Sequence, residues 1–225
     1  MSSPKLSPKS FWSKLDPFTY VDAWLMPHIN PNNNEVLSII YVIFSFVFAF
    51  AIYSFFGFVL QTASPLVIVV SGSMLPTMSR GDVVLLHGAA YDSLQAPEVV
   101  LHDIDVAHTS FEDLVTMESL GSGDWKLTFK QNNQEITIPK KGSSDIVVYV
   151  SDYKKLEIIH RAVVKISSNG QHFILTKGDN NPSFDQDCGK VEELPFPGTD
   201  VPHIITAKSC PSPYPIPMEK VKGKV

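Results

Sequence analysis

The sequence predicts an all-β domain carried on a single N-terminal transmembrane helix. Three observations lead there. Residues 36–60 read VLSIIYVIFSFVFAFAIYSFFGFVL, 25 positions without Asp, Glu, Lys, Arg, His, Asn or Gln. Beyond them, the apolar residues come in short runs rich in Val and Ile, broken by Gly, Pro, Asn and Ser, which is how strands read. After residue 61 no stretch repeats its apolar residues every three to four positions, as a long amphipathic helix would.

The apolar run comes first. At about 1.5 Å per residue it reaches roughly 37 Å, enough for a hydrocarbon core of about 30 Å. It is apolar on every face, which sets aside a buried soluble helix. A cleaved leader fits poorly: 35 residues precede the run, and Pro65 directly follows the small pair Ala63 and Ser64. The run therefore reads as an uncleaved anchor. Lys5, Lys9 and Lys14 stand before it, whereas the first basic residue after it is Arg80. By the positive-inside rule this predicts a cytoplasmic N-terminus and an extracytoplasmic C-terminal domain in the cell membrane. Residues 1–35 read as a cytoplasmic tail with a disordered start. Within it, residues 18–26 carry Tyr20 and Trp24 and read either as an aromatic anchor at the membrane surface or as irregular chain.

Residues 61–209 form the expected β domain. Segments 65–70 and 82–86 are short β-branched runs and read as buried strands. Residues 88–140 are more polar and read as an insertion, with a hairpin over 125–138 across the polar turn QNNQ. Three apolar runs follow, at 145–150, 158–166 and 172–176. From Cys210 onward prolines stand at 211, 213, 215 and 217, so residues 210–225 read as an extended tail. No internal repeat is present, and no second span is expected near the C-terminus.

Composition narrows the function. The chain has 225 residues and a net charge of −5, which gives no basic face for nucleic acid. His102, Asp103, Asp105 and His108 lack the regular spacing of a metal site, and Asp179, Asp185 and Asp187 lack the glycine of a calcium loop. No metal and no cofactor is expected. The two cysteines, Cys188 and Cys210, make no disulfide framework, and whether they pair stays open at this point.

Three segments carry chemistry. SGSMLPT at 71–77 follows a strand and presents serines at a strand-to-turn junction. His160 lies inside an apolar strand run. KGDNN at 177–181 is followed by Asp185. A serine, a histidine and an aspartate from separate segments match a nucleophile, its general base and the group that orients the base. Serine needs such a base, and unperturbed histidine titrates near the working pH, at about 6.5.

Together these segments resemble signal peptidase I in its archaeal and endoplasmic-reticulum form. The likeness rests on SGSMLPT at 71–77, RGDVVLL at 80–86, DIVVY at 145–149, HR at 160–161 and KGDNN at 177–181 with Asp185. It implies a signal-peptidase-like β fold and a serine endopeptidase acting on signal peptides of secretory precursors, with small residues before the cut. It implies Ser73 as nucleophile, Ser71 as hydroxyl donor to the oxyanion, and His160 as base where bacterial members use lysine. It implicates both Asp179 and Asp185. Of the two, Asp185 is expected to orient His160, because the turn-forming GDNN composition points Asp179 toward nearby backbone N–H groups. The 87 positions between Ser73 and His160 exceed the spacing of minimal members. Two other classes compete: an inactive scaffold, which would be expected to lose one of these side chains, and a self-cleaving regulator, which would want a lysine base.

Overall fold

In the computed structural model, residues 16–25, 34–121, 123–140, 142–195, 202–206 and 208–225 are described. Most of the expected N-terminal tail lies outside them. The chain divides into two compact units, Met1–Phe55 and Phe56–Val225.

The first unit holds α1 (Pro17–Leu25) and most of α2 (Asn34–Val59). The segment that left two readings open is therefore a helix. Phe18 packs edge-on against Phe44 and Tyr41, with ring centroids 5.3 Å and 6.0 Å apart. Glu35 lies in the first turn of α2, where its charge suits the positive end of the helix dipole. From Glu35 to Val59 the helix is long and apolar enough to cross a bilayer. Phe46, Phe50 and Phe58 stay exposed on it, an arrangement that lipid tolerates and water does not.

The end of α2 belongs to the second unit. The Thr62 N–H donates to Gly57 O at 3.1 Å and the Gln61 N–H to Phe58 O at 3.3 Å. With Gln61 in the left-handed region at φ 53°, these bonds make a Schellman stop. Gly88 then donates to Leu60 O at 2.7 Å, and a Cβ there would stand 2.7 Å from Gln61 O.

The second unit is built on β-sheets, as the sequence predicts. Its central sheet contains β3 (Glu98–Leu101), β7 (Ile146–Ser151), β8 (Leu156–Ser168), β9 (Gln171–Lys177), β12 (Ile216–Pro217) and β13 (Val221–Lys224). The path runs β12-β9-β8-β7-β13, and β3 pairs in parallel with the far end of β8. The 13-residue β8 is the spine: β7 covers its first half, β9 its second, and the register shifts between Ala162 and Val164. A ribbon of β1 (Leu66–Ile68) and β2 (Val83–Leu85) stands apart. So do the three strands β4 (Val115–Ser119), β5 (Trp125–Phe129) and β6 (Glu135–Ile138), and the pair β10 (Val191–Pro195) and β11 (Pro202–Thr206).

Three differences from the sequence reading have physical causes. The β1 and β2 runs were expected to be buried, yet Ile68 is 61% exposed and Val83 64%. Both lie on a two-stranded ribbon, so one apolar face has no second layer. Residues 88–140 are more ordered than their polarity suggests: Val99, Leu101, Leu127 and Phe129 are fully buried in one cluster with Ile166 and Leu175 of the central sheet. Alternation hides half of each strand, so average polarity understates the core. The segment from Cys210 is extended, but it is woven into the sheet. Its β12 pairs with β9 and its β13 with β7, and Lys224 Nζ reaches Asp145 at 2.7 Å.

Candidate active site

Ser73 sits in the turn that follows β1. Met74 beside it is fully buried in a cluster with Val69, Met78 and Ile146, which anchors the turn. The KGDNN segment holds it from outside: the Asn180 N–H donates to Ser73 O at 2.8 Å, and Asn180 Nδ2 to Gly72 O at 3.2 Å. The approach is close enough to require glycine at 178, where a Cβ would come within 2.8 Å of Ser73 O.

His160 lies on β8 opposite Val147 of β7 and is buried. Its Nε2 stands 2.9 Å from Ser73 Oγ and its Nδ1 2.5 Å from Asp185 Oδ2. An ionised carboxylate has no proton to give, so Nδ1 carries the hydrogen and Nε2 is left to accept from the serine hydroxyl. Asp185 is 1% exposed, with its backbone N–H bonded to Thr176 O at 2.9 Å. Besides His160, Thr176 Oγ1 donates to Oδ2 at 2.7 Å and the Tyr149 hydroxyl at 2.9 Å. Ser71 Oγ is 3.0 Å from Ser73 Oγ. The arrangement can deprotonate a serine hydroxyl and keep the resulting imidazolium beside a fixed negative charge.

Asp179 is elsewhere. It was expected to bond nearby backbone N–H groups, but its carboxylate takes both arms of Arg161, with Nε and Nη2 at 2.8 Å, and the Thr77 hydroxyl at 2.6 Å. No hydrogen bond or ion pair joins it to His160 among the described residues. Burial alone would push its carboxyl up, but the bonds from Arg161 and Thr77 more than offset this and hold it below the usual carboxylate range. Bidentate pairing with a planar guanidinium is the stronger option for a half-buried carboxylate, and it wins over a local turn. Lys177 spends its Nζ on Gly178 O at 3.1 Å and Asn181 O at 2.7 Å. Burial pulls its amine below the ordinary lysine value, against the pull of Asp179 and Asp185.

Ser73 opens onto an apolar groove of about 540 Å³, with Val67, Ile68 and Val70 on one wall and Val148, Ile158 and Ile159 on the other. Cys188 and Cys210 are joined in a disulfide. Among the described residues no group of three His, Cys, Asp or Glu side chains is gathered as for a metal ion. Sequence reading missed Tyr149 and Thr176. Tyr149 stands in the DIVVY segment, but nothing local tells which face of its strand meets the aspartate.

No family model matches this chain. The signal peptidase complex catalytic subunit sec11 of Schizosaccharomyces pombe is 29% identical over 149 residues, 65% of this chain and 60% of that protein. The corresponding SEC11 subunit of Candida tropicalis is 27% identical over 147 residues, covering 65% of this chain and 58% of its own length. An uncharacterised protein of Methanocaldococcus jannaschii is 29% identical over 147 residues, 56% of this chain and 70% of that protein. The chain thus spans about 60% of the length of the first of these relatives. No solved structure matches. The likeness to signal peptidase I of the archaeal and endoplasmic-reticulum type therefore extends well beyond the short motifs.

Proposed function

From that likeness to signal peptidase catalytic subunits, we propose that this chain is a membrane-bound serine endopeptidase that removes signal peptides from exported precursors. The observation that carries the reading is the hydrogen-bonded line from Ser73 Oγ through His160 to Asp185. In this reading Ser73 attacks the carbonyl carbon of the scissile bond while His160 Nε2 takes its proton. Asp185 holds the imidazole and balances its charge. The Ser71 hydroxyl turns to the oxyanion together with a backbone N–H of the same turn. His160 then protonates the leaving amine, and a water molecule, deprotonated by the same imidazole, hydrolyses the acyl-serine. Asp179 serves the site by holding Arg161 and Thr77.

The substrate class follows from position and from the groove. Leu60 lies 13 residues before Ser73, a span of at most about 45 Å, so the nucleophile works near the end of α2. An apolar groove beside it suits an extended apolar segment with small side chains next to the cut. In this reading residues 1–35 are cytoplasmic, 36–60 form the lipid-embedded anchor, and 61–209 form the extracytoplasmic peptidase domain. Residues 88–140 are an insertion in it, and 210–225 close it. Protease added to intact cells is expected to reach the 88–140 segment; access only to the N-terminal tail would reverse the topology.

The test of the activity is incubation of detergent-solubilised protein with a secretory precursor, followed by N-terminal sequencing of the product. A single new N-terminus after a small residue, lost in Ser73→Ala, is the expected result. Cleavage that survives Ser73→Ala would remove the assignment.

A further inference from the structure

The carboxylate of Asp185 is buried, and it is used unevenly. His160 Nδ1, Thr176 Oγ1 and the Tyr149 hydroxyl all meet Oδ2, at 2.5, 2.7 and 2.9 Å. Among the described residues, Oδ1 meets no donor. The convergence comes from strand register. Tyr149 of β7 is opposite Ile158 of β8, and His160 follows two positions on, on the same face. Thr176 of β9 is opposite Ala162, again on that face. Tyr149, Val147, Ala162 and Ile174 pack there as one buried cluster, so the hydroxyls are delivered by a rigid layer.

We propose that Tyr149 and Thr176 are positioning residues for the peptidase reaction, their hydroxyls together holding Asp185 Oδ2 against His160. The inference rests on the peptidase reading above. A buried carboxylate with a single donor is free to rotate about its Cβ–Cγ bond and offer either oxygen to the imidazole. Three donors on one oxygen fix that rotation, and two of them are neutral O–H groups that stabilise the anion without adding a charge. Tyr149 is suited to this because it keeps its proton. Burial first, then the neighbouring Asp185 charge, raise its phenol well above the ordinary value. Its only polar atom thus stays a donor at any working pH. Thr176 is anchored through its own N–H, which donates to Gln186 Oε1 at 3.0 Å.

The test is a double-mutant cycle on full-length protein in detergent, with a secretory precursor and single-turnover kinetics. Tyr149→Phe removes one oxygen and keeps the ring in its layer. It is expected to lower the cleavage rate constant about 10–100-fold, the size of one charge-assisted hydrogen bond, with KM and thermal midpoint little changed. In an Asp185→Asn background the same change is expected to cost less than about 3-fold, because the group it positions is gone. Thr176→Val is the second variant, with the same expected pattern. An equal loss in both backgrounds would mark a role in general packing and overturn the inference. A Tyr149→Phe rate within about 2-fold of wild type would overturn it too. An inactive wild type, or a Ser73→Ala variant that cuts as well as wild type, would overturn the peptidase reading and this inference with it.

Discussion

The β1–β2 ribbon and the central sheet bring opposite properties to one site. The ribbon is two short strands with an exposed apolar face, and its turn carries Ser73 and Ser71. The central sheet is layered on both sides, and it carries His160, with Asp185 bonded to the backbone of β9. Ser73 is thus placed on the open side, beside the apolar groove, and His160 is buried in the layered sheet. The cost of an open ribbon is weak self-support, since two strands alone are marginal in water. One tie between the regions is the segment after β9, through Asp179 to Arg161 and Thr77 and through Asn180 to Ser73 O and Gly72 O.

Variants can break this comparison at four depths. Ser73→Ala and His160→Ala remove the proposed nucleophile and base, which are hydrogen-bonded across the junction. Each is expected to lower the precursor-cleavage rate by about 10⁵–10⁶-fold, and the double variant to be no worse, because the two act as a unit. Circular dichroism and membrane partition are expected to be unchanged; an additive double loss would separate the two roles.

Next is Asp185→Asn, inside the rigid region. An amide presents the wrong partner to Nδ1, so a loss of about 10⁴-fold in turnover with a folded protein is expected. A stable Asp185→Asn with near-normal turnover would exchange the roles of the two aspartates.

Ser71→Ala, on the ribbon, is expected to cost about 10–1000-fold in kcat with little change in KM, as loss of one oxyanion donor does. A rise in KM alone would mean that Ser71 binds ground-state substrate.

Smallest in rate is Asp179→Asn, which loosens the tie. It leaves Arg161 short of its carboxylate and is expected to lower stability by about 2 kcal/mol, with turnover falling less than about 10-fold. Its pH signature follows from the sign of the shift. The folded carboxyl titrates below its ordinary value, so its contribution to stability is present above about pH 4 and is lost as pH falls through the lowered folded value. Thermal melts from pH 6 down to pH 2 are expected to show a steeper loss for wild type than for Asp179→Asn. Parallel curves would mean that the Arg161 pair adds no stability.

Much of this molecule was legible before its structure. The span at 36–60 announces itself through 25 positions without a strongly polar side chain, since nothing distant is needed to judge whether a segment tolerates lipid. The strands β7, β8 and β9 stand where apolar β-branched runs occur. The segments around SGSM, His160 and KGDNN with Asp185 stood out by residue type and local setting, the choice of Ser73 over Ser71 came from the family resemblance, and the hydrogen-bonding distances among them are a property of the fold. The hairpin of β5 and β6 stands where 125–138 alternates; less visible were β3, a run of only four residues in a polar stretch, and β13, which a proline-rich approach disguised.

What the sequence alone determined is therefore what depends on neighbours along the chain: the anchor, the strand runs, the turn chemistry of SGSM and KGDNN, and the set of side chains able to act. What only the tertiary structure decided depends on which strands meet and in what register. Alternation divides a strand into two faces but does not say which face is covered. That is why β1 and β2 turned out exposed on one face and why Tyr149 and Thr176 could not be foreseen beside Asp185. Likewise Asp179 had two partners to choose from, a local turn and a guanidinium 18 residues away. Arg161 wins because folding brings it within reach while burying both groups, and two charge-assisted bonds then outweigh what the turn offers.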